Sequence, residues 1–161
     1  MDDDPDRDES RAPEVEDLLA LCRSLNREAV RYVLIGGFAV VLHGFVRTTK
    51  DIDLLVDASA ENVRALKRAL ADLPDNAIAE IDDGDVDRYT VVRVADEIVI
   101  DLMGRACGID YATAQQIGIE ARELDGVTIL LASPALLIRT KDTVRPSDAM
   151  DVAFLRALGR A

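Results

Sequence analysis

Apolar and polar positions alternate between two periods along this chain, and the switches mark its elements. Val15, Leu18, Leu19, Cys22 and Leu25 recur at helical spacing behind Pro13, which suits a first turn, and predict a helix to about Asn26. Arg31 to Ile35 is a short apolar run and reads as a strand; Gly36-Gly37 turns it into a helix from Phe38 to about His43, ended by Gly44. Phe45 to Lys50 is a polar connection, and Asp51 to Asp57 alternates at period two as a second strand. Ser59 caps a helix with Val63, Leu66, Leu70 and Leu73 on one stripe, followed by an acidic, turn-like stretch from Asp75 to Asp85.

The second half continues with strands over Arg88–Val94 and Glu97–Met103, joined as a hairpin through Ala95-Asp96. Tyr111 to Ile117 is a short helix. Glu120–Leu124 and Val127–Leu131 flank Asp125-Gly126, a strong two-residue hairpin signal. Ser133-Pro134 opens a helix through Lys141, and Pro146 to Leu158 is the last helix. No repeat is visible. The expected architecture is α+β (mixed α/β): a small mixed sheet flanked by helices, built as one domain over residues 13–161.

Charge changes this picture at the N-terminus. The first ten residues carry six acids against Arg7, out of a formal net charge of −12, so residues 1–12 read as a disordered acidic tail. The remaining −7 argues against broad nucleic-acid binding, unless Arg31, Arg47, Lys50, Arg139, Lys141 and Arg145 gather on one face. The two cysteines stand in no metal-like spacing and His43 is the sole histidine, which leaves no His-rich metal site and reads as structural. No secretory leader is visible, and the longest apolar stretch, Tyr32 to Val41, is far short of a bilayer span, so a cytoplasmic protein without membrane contact is expected.

The candidate chemistry lies in Asp51 and Asp53. Alternate residues of a strand share a face, so both carboxylates point away from Ile52, Leu54 and Val56. Like charges side by side oppose folding, and a divalent cation is the commonest reason to keep them. Asp101 is a third acid in an otherwise apolar strand, on the face opposite Ile98, Ile100 and Leu102. Pairing of that strand beside Asp51–Asp57 would converge three carboxylates, a donor set for one or two Mg²⁺ ions shared with phosphates. Gly36 and Gly37 at a strand-to-helix turn let backbone approach a ligand, though they match neither the Walker A nor the dinucleotide-binding pattern.

Gly36-Gly37, a thirteen-residue gap, Asp51-Ile52-Asp53 and the later Asp101 resemble the nucleotidyltransferase superfamily typified by DNA polymerase beta. More narrowly, GGFAVVLHGFVRTTKDIDLLVD is similar to small bacterial nucleotidyltransferases of the abortive-infection toxin type (AbiEii-like). SPALLIRTKDTVRPSDAMDVAFL resembles that group's C-terminal stretch, with Ser147 where Lys is expected and Asp148 and Asp151 in place. The resemblance spans roughly residues 30–57 and 98–158. It implies Mg²⁺ at Asp51 and Asp53 bridging an NTP triphosphate, with Gly36 and Gly37 against the phosphates. Asp101 would hold a second ion and help deprotonate the attacking hydroxyl. Lys141 and Arg145, one turn apart on a continuing helix, would neutralise phosphate charge, with Lys50 and Arg47 as further bases. Thr48 and Thr49 read as turn residues, and Asp148 and Asp151 as partners of Arg145 or caps of the last helix.

The implied activity is Mg²⁺-dependent transfer of an NMP from an NTP to an acceptor hydroxyl. The acceptor stays open among tRNA or a protein in a toxin–antitoxin-like role, with a cognate antitoxin as candidate partner, and a small molecule. The alternative is a catalytically inactive nucleotide-binding or protein-interaction module on the same fold. The position of Asp101 relative to Asp51 and Asp53 discriminates the two.

Overall fold

The computed structural model describes residues 10–159. A six-stranded mixed sheet in the order β3-β4-β2-β1-β8-β7 organises the chain. Its strands are β1 (Tyr32–Ile35), β2 (Asp51–Val56), β3 (Val92–Ala95), β4 (Val99–Met103), β7 (Ile119–Leu124) and β8 (Val127–Ala132). A separate two-stranded ribbon joins β5 (Arg105–Ala106) to β6 (Ile109–Asp110). The helices are α1 (Val15–Arg27), α2 (Gly36–Leu42), α3 (Ala60–Leu70), the single turn α4 (Asp85–Arg88), α5 (Tyr111–Ile117), α6 (Pro134–Thr140) and α7 (Pro146–Leu158).

The central strands explain their own patterns. β1 is buried at all four positions, because β2 and β8 flank it and helices cover it, and so it is continuously apolar. β2 buries Ile52 and Leu54 while Asp51 and Asp53 remain half-buried on the other face, as the alternation requires. β2 runs antiparallel to β1 and parallel to β4, and β1 runs parallel to β8. α1 and α3 pack on each other, with α1 also on β8; α2 packs against α6 and α7. Ser59 and Ser133 cap α3 and α6 through the amides of Asn62 and Leu136, and Pro134 opens α6. Asp125 and Gly126 both adopt positive φ and close the β7–β8 hairpin.

Four boundaries differ from the sequence reading. α1 begins at Val15 under a reciprocal cap between Glu14 and Asp17, with Pro13 ahead of it. Arg88 ends a helical turn instead of opening a strand, and a 3₁₀ turn occupies Ala77–Glu80. The β3–β4 hairpin turns over Asp96–Ile98, pairing Ala95 with Val99. The buried Asp96 carboxylate sets this turn by accepting from the amides of Asp75, Ala77 and Glu97. α6 stops at Thr140, so Lys141 is its C-cap while Arg145 is the N-cap of α7; they do not share a helix. Of the acidic segment expected over 1–12, residues 1–9 lie outside the described residues. Ser10 donates to the Asp96 carbonyl, and the Arg11 amide to Glu97.

Candidate active site

One row of side chains crosses three strands. Asp53 on β2 sits in register with Asp101 on β4, which sits opposite Arg93 on the edge strand β3. Asp51, two residues back on β2, projects from the same face, and one oxygen from each of the three carboxylates lies within 4.8 Å of the others. The parallel pairing of β2 with β4 makes the cluster, because residues in register on neighbouring strands share a face.

Gly36 makes room for it. Its φ is +74°, and a Cβ there would lie 2.0 Å from Asp53 Oδ2. The turn out of β1 therefore requires glycine both for its backbone conformation and for the carboxylate against it. Gly37 has ordinary backbone and meets Arg47 and Thr49.

The electrostatics are unbalanced. Burial, then the charges of Asp51 and Asp101, push the Asp53 carboxyl up to about 7, against the opposing pull of Lys141 and Arg145. Burial and the Asp101 charge also raise Asp51, with Arg93 opposing. The partner seen for Asp101 and Asp51 is Arg93, whose Nε and Nη2 each donate to one Asp101 oxygen at 2.9 Å, and whose Nη2 reaches Asp51 at 3.4 Å. The cluster is a set of oxygen donors in excess of its counter-charge, the arrangement a hard divalent cation fits.

The three acids line a cleft of about 700 Å³ with Gly36, Gly37, Lys50, Lys141 and Arg145. Every residue expected at the site is thus brought to one place, but not in equal roles. Lys141 is buried, its ammonium 2.8 Å from Asp151 and 3.3 Å from Asp148. Arg47 pairs with Asp151 and Arg145 with Asp148 at 2.8 Å. Lys50 has no ion pair among the described residues. His43 Nε2 contacts the Ala132 carbonyl at 2.8 Å and Thr49 donates to the Asp51 carbonyl, both structural roles. Arg31 lies elsewhere, paired with Asp57 in a second cavity of about 830 Å³ at the far ends of β2 and β4. Larger though it is, that cavity holds none of the three carboxylates. Sequence reasoning missed Arg93; its alternation with the buried Val92 and Val94 was the available signal.

The acid row on a mixed sheet beside a glycine turn is the layout of a nucleotidyltransferase fold. Residues 15–102 match the profile of a family described as nucleotidyltransferase of unknown function (DUF6036), and the chain belongs to that family. The match contains Gly36, Gly37, Asp51, Asp53, Arg93 and Asp101. Among solved structures, the crystal structure of an antigenic nucleotidyltransferase-like protein from Paracoccidioides brasiliensis is similar at 17% identity and a TM-score of 0.54. The similarity covers 92% of this chain and 78% of that one. No curated protein matches the chain. The narrower toxin-type assignment finds no support in these matches. Among the described residues, no helix is long and apolar enough to cross a membrane.

Proposed function

We propose that this protein is a Mg²⁺-dependent nucleotidyltransferase that moves an NMP from an NTP to an acceptor hydroxyl. The observation that carries the reading is the meeting of Asp51, Asp53 and Asp101 beside Gly36. Asp101's place beside the other two supports catalysis over an inactive binding module on the same fold.

In this reading Asp51 and Asp53 hold the cation, and Gly36 and Gly37 form the floor against which the triphosphate lies. Mg²⁺ held there would supply Lewis-acid polarisation and positive charge to the phosphates. The acceptor oxygen bonds to the α-phosphorus as the α–β anhydride bond breaks, and Asp101 is assigned the hydroxyl proton. Lys50 and Arg145 are the exposed cations for the triphosphate. Lys141, committed to Asp148 and Asp151, acts through its field, which already lowers the cost of charging Asp53.

Isothermal titration with Mg·ATP tests this. Asp51→Asn/Asp53→Asn is expected to abolish binding, and unchanged affinity would sink the reading. Incubation with labelled NTPs, Mg²⁺ and total tRNA, then with cell extract, reads out the acceptor class: label on RNA, on protein or on a small molecule. A toxin-like role for an RNA or protein acceptor would bring a cognate antitoxin as partner.

A further inference from the structure

The Arg93 guanidinium engages both oxygens of Asp101, the acid that the family resemblance pairs with a second ion. We infer that in the nucleotide-free protein the site takes one divalent ion, at Asp51 and Asp53, while the Arg93 guanidinium serves Asp101 as a built-in counter-cation and positions it. The inference rests on the reading of the three carboxylates as a cation site.

The register imposes the contact. Arg93 and Asp101 are directly opposed across the antiparallel β3–β4 pair, so their side chains emerge on the same face. Val92 and Val94, on the other face of β3, are buried and tie the strand in place. The guanidinium fork is then matched to the carboxylate: one nitrogen to each oxygen, both at 2.9 Å, with Nη2 leaning towards Asp51 at 3.4 Å.

An ion bound by Asp101 competes with this fork, which already takes one lone pair on each of the two carboxylate oxygens. It would also stand within a few ångströms of the guanidinium's positive charge. Charge balance points the same way. One divalent ion and one guanidinium neutralise three carboxylates, whereas a second ion would leave a nucleotide-free site cationic. The carboxylate is buried while much of the Arg93 side chain is exposed, 60% against 9% for Asp101. Arg93 therefore has freedom to move aside, but Asp101 does not.

Mn²⁺ titration without nucleotide, followed by electron paramagnetic resonance and by thermal denaturation, is the test. The wild-type protein is expected to bind one equivalent and Arg93→Ala two. Arg93→Lys, which keeps the charge and loses the fork, is expected to stay at one. Arg93→Ala should also melt lower than wild type without metal and gain more from Mn²⁺, whereas a merely structural arginine would lower both melting points equally. Two equivalents in the wild type, or one in Arg93→Ala with an unchanged Mn²⁺ gain, overturns the inference and leaves the cation site standing. Absence of Mn²⁺ binding in both proteins removes the cation site and the role of Arg93 with it.

Discussion

Two clusters of acids line the same cleft and are handled in opposite ways. Asp148 and Asp151 on α7 are the more deeply buried, at 3% and 1% exposure, yet Lys141, Arg145 and Arg47 surround them. Burial pushes the Asp148 carboxyl up, but the Thr143 hydroxyl, Lys141 and Arg145 outweigh it and hold it below its ordinary value. Asp51, Asp53 and Asp101 are less buried, but among the described residues only Arg93 pairs with Asp51 and Asp101, Asp53 has no ion pair, and the Asp53 carboxyl rises to about 7. Burial of a carboxylate is thus a poor sign of a functional site; negative charge left over after every neighbour is counted is a better one. The first cluster holds α7 to the end of α6 through Lys141 and to the loop between α2 and β2 through Arg47. The second keeps carboxylates in excess of its counter-charge.

Breaking the compensated cluster should produce the largest effect. Lys141→Met leaves two buried carboxylates short of a partner and is expected to cost about 3–5 kcal/mol, a fall in melting temperature on the order of 10 °C. A drop of a degree or two by calorimetry would show that Arg47 and Arg145 suffice.

Next in size is the pH dependence, where the clusters should differ in sign. Asp53 titrates higher in the folded chain than its ordinary value of 3.8, so its contribution is present below about pH 4 and lost as pH rises through about 7. Asp148 titrates lower, so its contribution holds above the ordinary carboxyl range and is lost as pH falls below it. Metal-free melting curves are expected to show stability falling by a few kcal/mol between about pH 4 and pH 7. Asp53→Asn should flatten that fall, and Mg²⁺ should oppose it at pH 8 far more than at pH 5.

A smaller loss follows from Gly36→Ala. Its positive φ costs about 1–2 kcal/mol for any residue with a Cβ, and the overlap with Asp53 adds displacement of the carboxylate. Cation affinity should therefore fall together with stability, on the order of tenfold by titration; a stability loss with unchanged affinity would detach the glycine from the site.

Arg145→Ala is the mildest change. The side chain is 71% exposed, and Asp148 keeps Lys141 and Thr143, so stability should move by about 0.5 kcal/mol or less. Mg·ATP affinity should weaken several-fold if Arg145 reaches the triphosphate, and calorimetry separates the two readouts.

Particular residues show where sequence reading ended. A two-residue turn at Ala95-Asp96 would have set Thr90 opposite Asp101; the three-residue turn, fixed by amides of the 75–77 segment on Asp96, brings Arg93 there instead. Nothing in the local pattern announces those donors, because they come from about twenty residues earlier in the chain. Likewise Lys141 and Arg145 do not lie one turn apart on a continuing helix: Lys141 ends α6, its ammonium drawn onto Asp148 and Asp151, while Thr143 closes the turn on Asp148.

By itself the sequence determined the strand carrying Asp51 and Asp53, their common face, the glycine turn and the excess of acids, because period, sterics and charge are local properties. Only the tertiary structure decided which strand lies beside β2, which cation answers Asp101, and which acids are satisfied. Those outcomes depend on register between segments far apart in the chain, and a shift of a single residue would turn each side chain to the opposite face.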